Sequence, residues 1–300
     1  MPVERPKMIE ELRWKTSLSA TALHAALCRA REIPAADATV GELLNPAADA
    51  LIAEIAAAEW PPFLLLEQLT ALASEVDNNR ELASRVAAKL HLPPRDPALL
   101  VRIAGGIADL EAVLLRVQPD LAAELAVRCG PLREQWEARG PGMLREIARS
   151  TEEEVVPLAA EIVLVAPYAG GHGVAHARQN RVTFEGMLFH PLPTLPEPVR
   201  LAWLLAQLNA DLPRYADLLP ASRRPELFAV AMAPPTLAAA QEVELAVCDE
   251  ASLASAFEAW GIGKGLPSDA PGRVWNWWNA WLDQPATWPV AVAALERLLA

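Results

Sequence analysis

Cysteine is scarce in this chain: Cys28, Cys129 and Cys248 are the only three in 300 residues, and they stand far apart. No CxxC pair occurs. That excludes a disulfide framework and a zinc ribbon, and it leaves three small apolar side chains suited to a reducing compartment. Positive charge is short as well. Lys and Arg number 26 against 38 Asp and Glu, a formal net charge of −12, with both residues 1–150 and residues 151–300 acidic. A duplex nucleic-acid binder and a protein held on anionic lipid both need a basic surplus, so neither partner is expected. The stretch NNRELASRVAAKLHL has a faint helix-turn-helix character, but its charge is nearly balanced and cannot supply phosphate contacts.

Long apolar runs are also missing. The uncharged stretch 227–241 is too short to span a bilayer and contains Pro234 and Pro235. Residues 1–17 mix charges with isolated apolar residues and hold no apolar core of a signal peptide. A cytoplasmic protein is the expectation.

What the chain does have is apolar residues, 53% of the total, enough for a substantial core and too many for wholesale disorder. Helical periodicity dominates the first 125 residues. Leu65, Leu69, Leu72 and Val76 share a face, as do Leu100, Ile103, Ile107, Leu110 and Leu114. Asp96–Pro97 reads as a cap and first position for the second of these helices. Gly105–Gly106 inside it either weakens it or lets another helix approach. Gly140-Pro141-Gly142 reads as a break between two short helices.

Further on, residues 160–167 (AEIVLVAP) have strand length and β-branched texture, and residues 181–188 (RVTFEGML) alternate. The glycine-rich AGGHG lies between them, and a proline-studded bridge leads to the apolar helix VRLAWLLAQLNADL. Further helices follow to the end of the chain. One small sheet in a mostly helical chain predicts an α+β fold, with a helical region over 1–125 and an α+β region over 130–300, either as two parts or as one continuous domain.

The order strand, glycine-rich turn, strand, proline-rich loop and apolar helix resembles zincin-like metallopeptidases of the gluzincin kind, over residues 130–245. In that family a helix bearing HExxH follows the sheet. Its two histidines bind zinc and its glutamate polarises the metal-bound water. The matching segment here is AWLLAQLN, residues 202–209. Laid on a pattern such as AHELAHLN, it puts Trp203 and Gln207 at the histidine positions and Leu204 at the glutamate position. Indole has no lone pair for zinc, a neutral amide is a poor ligand, and leucine moves no proton. The resemblance therefore implies a scaffold without its zinc site and without a cofactor. A later helix would supply a glutamate ligand in the family. Glu242 and Glu244 stand in such a helix here, two apart and so on different faces.

Other chemistry is weighed on the same terms. His172 and His176 are four apart in GGHGVAHARQN, but three glycines within four residues indicate a loop, where that spacing implies no shared face. With Glu185 or His190 they would make a weak metal site. Gly171-x-Gly173 lacks the third glycine and following helix of a dinucleotide site, and GIGKG at 261–265 lacks the spacing and hydroxyl of a phosphate loop. No GxSxG is present. Six of the ten tryptophans lie in the last 41 residues. Val274, Trp277, Trp278 and Trp281 form one apolar stripe and Trp275 widens it, giving either a core edge or a protein-binding surface.

The reading that results is a non-catalytic binding or scaffold protein on a degenerate metallopeptidase-like fold, with an unidentified protein partner. The alternatives are a metal-dependent hydrolase drawing ligands from His172, His176, Glu185 or Glu242, and a helical adaptor.

Overall fold

In the structure, a computed structural model, residues 11–92, 96, 98–187, 190 and 192–299 are described. Its elements run β1 (Glu11–Thr16), α1 (Leu18–Ala30), α2 (Ala38–Ala57), α3 (Pro62–Leu72), α4 (Asn79–Lys89), α5 (Leu99–Val117) and α6 (Leu121–Ser150). Then come β2 (Ala159–Val165), β3 (Gly173–His176), β4 (Arg181–Glu185), α7 (Glu197–Leu205), α8 (Pro213–Ala216) and α9 (Arg224–Ala231). The chain closes with α10 (Ala233–Glu242), α11 (Glu250–Ala259), α12 (Ala270–Asp283) and α13 (Trp288–Leu299). The fold is α+β and predominantly helical, as the sequence predicts.

The sheet has the order β1-β2-β4-β3, parallel except for β3 against β4. Pairing of Trp14 with Ile162 and of Val163 with Thr183 sets the register. Two of these strands are not expected from the sequence. In β1 charged residues alternate with apolar ones, and only Leu12 and Trp14 pack on the core. β3 is short, and its two middle residues, Val174 and Ala175, lie across from Thr183 and Val182. Residues 172–176 are therefore partly strand, and His176 is buried on it, where a glycine-rich loop was expected. Of the second strand candidate, Leu188 lies outside the described residues.

α1 is the central helix. Ser17 caps it by accepting the Ala20 N–H at 3.1 Å, and Ala20–Cys28 are buried all round, as in a helix enclosed by protein. α2, α3 and α5 pack around α1, and β2 also touches it. α5 buries Leu99, Ile103, Ile107, Leu110 and Leu114. Gly106 is its point of close approach, since a Cβ there would come within 3.0 Å of Leu51 on α2. Asp96 accepts the Ala98 N–H at 2.8 Å ahead of this helix, and Pro97 lies outside the described residues.

α6 differs from its expectation. It runs unbroken through Pro131 and Pro141. Each proline removes a helix hydrogen bond, yet the helix continues, packed against α7 and α10. Gly140 is buried beneath Trp136, whose ring a Cβ there would strike at 2.4 Å. The two regions, 1–125 and 130–300, are continuous: α6 crosses between them, β1 pairs with β2, and one apolar cluster runs from Ala20 to Leu299. No helix among the described residues is long and apolar enough to cross a membrane.

At the C-terminal end Trp288 sits among the rings of α12, with centroids 5.6 Å from Trp277, 6.5 Å from Trp278 and 5.4 Å from Trp281. The Trp277 indole N–H donates to the Ala291 carbonyl at 2.9 Å and that of Trp281 to Ser150 at 3.2 Å. Trp277, Trp278 and Trp281 are thus covered by the chain itself, which withdraws them as interface residues; Trp275 is half-buried.

Candidate functional site

A histidine in the middle of a helix enclosed by protein must find a partner, because an unpaired polar group away from water is costly. His24, in the middle of α1, finds Glu185, the last residue of β4: Nε2 lies 2.9 Å from Oε1, and both side chains are wholly buried. Cys28, one turn further along α1, puts its sulfur 3.5 Å from the same nitrogen.

The Glu185 carboxylate organises the turn after β2. Oε1 accepts the N–H groups of Tyr168 and Ala169 at 2.9 and 2.8 Å, and Oε2 accepts those of Gly171 and His172 at 2.6 and 2.9 Å. Gathering four N–H groups round one carboxylate bends the backbone through left-handed conformations at Gly170 (φ 81°) and Gly171 (φ 130°), which explains the two glycines. Burial alone would raise the Glu185 carboxyl. The His24 ring and the loop N–H groups outweigh it and hold the group far below the ordinary carboxylate range. Burial likewise opposes charge on His24, but the Cys28 sulfur and the Glu185 carboxylate raise its imidazole to about 10.

Two chemistries fit this geometry poorly. A thiol–imidazole–carboxylate triad needs the thiol on one ring nitrogen and the acid on the other. Here both meet Nε2, and Nδ1 has no partner among the described residues. A metal would find the ligating atoms of His24, Cys28 and Glu185 within 4.8 Å of one another. Yet the Glu185 oxygen facing His24 already takes two N–H bonds, and Nδ1 lacks the acceptor that orients a metal-bound imidazole. The arrangement is a hydrogen-bonded staple joining α1, β4 and the glycine turn.

The residues expected at a cleft are dispersed. His172 stacks on His24, with ring centroids 5.8 Å apart, and lines a cavity of about 540 Å³. Burial, with the charged His24 beside it, lowers its imidazole to about 3. His176 faces a different pocket, of about 340 Å³; its Nε2 lies 2.9 Å from the Thr183 hydroxyl, and burial lowers it to about 3 too. His190 accepts the Glu197 N–H at 3.2 Å. Glu242 and Glu244 are exposed at the end of α10 and beyond it, away from both cavities, so neither serves as a cleft residue.

Trp203, Leu204 and Gln207 are buried packing residues. The Trp203 indole N–H donates to the Ala229 carbonyl at 2.7 Å, and its ring stacks 5.0 Å from Trp260. Leu204 fits only because residue 173 is glycine, whose Cβ would stand 2.6 Å from it. Gln207 donates to the Trp203 carbonyl at 2.9 Å and borders the smaller pocket.

The larger cavity lies between two glycine turns. One is the Gly170–Gly171 turn held by Glu185; the other carries left-handed Gly261 (φ 65°) and Gly263 (φ 71°). Arg31 and Lys264 border it, with the Lys264 ammonium donating to the Arg31 carbonyl at 3.1 Å. Arg31 is half-buried. Its guanidinium lies 4.4 Å from the Phe63 ring centroid, it pairs with Glu67 at 3.2 Å, and its Nε is buried with no partner among the described residues. Burial lowers the Arg31 pKa and raises that of Glu67. His172 Nε2 is likewise buried without a partner among the described residues. Glu258, exposed at the rim, also lines the cavity.

Sequence reasoning missed His24, Cys28, Arg31 and Lys264 as a group. The i,i+4 placing of His24 and Cys28 on a largely apolar helix was the available signal for the first two. No family model matches the sequence, and no curated protein or solved structure matches it significantly.

Proposed function

We propose that this protein acts by binding, and that it holds a small anion in the cavity between the two glycine turns. The observation that carries the reading is the pairing there of Arg31 and Lys264 with two buried, unpartnered nitrogens, Arg31 Nε and His172 Nε2. An anion would supply the acceptor that Arg31 Nε lacks and add to Glu67 in offsetting the cost of burying the charge. The volume falls in the range of about 300–1,000 Å³ usual for small-molecule sites. In this proposal the zincin-like order of elements is a scaffold whose metal motif has been replaced by packing: Trp203 carries Trp260, and Trp260 carries the second turn. The Glu185 carboxylate shapes the first turn and is not free to act as a base.

Thermal unfolding with inorganic phosphate, malonate or sulfate, against sodium chloride of equal ionic strength, tests it. The expected result is a saturable rise in melting temperature with at least one dianion. Lys264→Ala, a change at an exposed residue, should weaken that binding about tenfold, the worth of one charged contact. If every anion behaves as chloride does, the reading fails.

A further inference from the structure

Phe63 stands between the two cavities and lines both. The smaller one is built differently from its neighbour. His176, Gln68 and Gln207, all buried, border it together with half-buried Gln179, and Phe63 and Phe228 supply apolar walls. None of the four polar side chains carries charge, since burial keeps the His176 imidazole neutral down to about pH 3. Three charged residues border it as well: Arg178 and Asp211 face each other at 3.6 Å, and Glu67, whose carboxyl burial raises, pairs with Arg31 at 3.2 Å.

Its polar groups are incompletely used. Gln179 Nε2 donates to the Gln68 side-chain oxygen Oε1 at 2.7 Å, while its own oxygen is buried with no partner among the described residues. His176 Nδ1 is buried without a partner there as well, its other nitrogen being held by Thr183. A pocket of amides and a neutral imidazole between aromatic walls matches a planar, uncharged group that both donates and accepts hydrogen bonds.

We infer that the two cavities form one bipartite site, and that its ligand is a nucleoside monophosphate or a compound of that chemistry. The phosphate lies between Arg31 and Lys264. The base lies beyond Phe63 against Gln68, Gln179 and His176. This inference rests on the anion site proposed above and adds the class of ligand that fills it.

Calorimetric titration with inorganic phosphate, ribose 5-phosphate, adenosine and the four common ribonucleoside monophosphates separates the two ideas. At least one monophosphate should bind ten times or more as tightly as ribose 5-phosphate and adenosine. Gln179→Leu, at a half-buried position, should abolish that advantage and leave the affinity for inorganic phosphate unchanged, a result that shows the variant is folded. Phosphate binding with no gain from any base overturns the bipartite site and leaves the anion reading intact. Adenosine binding as tightly as its monophosphate overturns the bipartite site alone, whereas failure of every compound to bind, inorganic phosphate included, overturns the anion reading with it.

Discussion

Around Glu185 one carboxylate gathers four backbone N–H groups and an imidazole, whereas around Trp288 the indoles of α12 meet chiefly through apolar area. The two clusters are buried to a similar degree, but they do different work. Directed bonds to a charge select one conformation of one turn, and they depend on protonation. Aromatic area stabilises the whole C-terminal end and is indifferent to pH. The site sits on the directed cluster, and the aromatic cluster secures its far wall through the helices that follow Trp260.

The largest effect is expected in the aromatic cluster. Trp278→Ala, at a residue 1% exposed, should destabilise by about 3–5 kcal/mol in urea unfolding, equally at mildly acid and mildly alkaline pH. A neutral outcome would mean that the indoles are not the core they resemble. Glu185→Gln should cost less, about 2–3 kcal/mol at neutral pH, because an amide keeps one acceptor oxygen and loses the charge. If this variant proves as stable as the parent, the staple does not hold the turn.

The pH dependence sharpens the contrast. His24, raised to about 10, contributes fully below its ordinary 6.5, and that contribution is lost as pH climbs from there towards 10. His172 and His176, lowered to about 3, stay neutral in the fold while the unfolded chain takes up protons below 6.5, so stability falls with acid from 6.5 towards 3. Glu185, held below the ordinary carboxylate range, adds a further loss at the acid end as it is protonated. Urea midpoints should therefore peak near pH 6.5. Trp278→Ala should lower the whole curve without reshaping it, and Glu185→Gln should make its alkaline limb shallower, because His24 loses one of the two groups, Cys28 and Glu185, that raise it. The smallest effect is expected at Trp275, which is half-buried on the same helix: Trp275→Ala should change stability by less than about 1 kcal/mol.

How much of this was legible in the sequence depended on distance along the chain. The stripes of α5 and α12 and the cores of β2 and β4 follow from local periodicity. Periodicity did not reveal β1, whose alternating charges suit an edge strand with one neighbour. Nor did it show that α6 survives two prolines, since helices packed against it override that local signal. The site was least legible. His24 and Glu185 are 161 residues apart, and Lys264 reaches Arg31 over 233. AGGHG and GIGKG each fail as phosphate motifs alone, and only the fold sets them across one cavity.

The parallel pairing of β1 with β2 has a consequence for synthesis. Glu11–Thr16 emerges from the ribosome long before Ala159–Val165, its hydrogen-bonding neighbour, exists. At roughly 5–20 residues per second, the first strand waits on the order of ten seconds with its edge unpaired. During that interval α1 has neither β2 beneath it nor Glu185 opposite His24. A nascent chain halted before residue 159 should thus be an open helical assembly, sensitive to proteases, which closes only when the strands of the second half arrive.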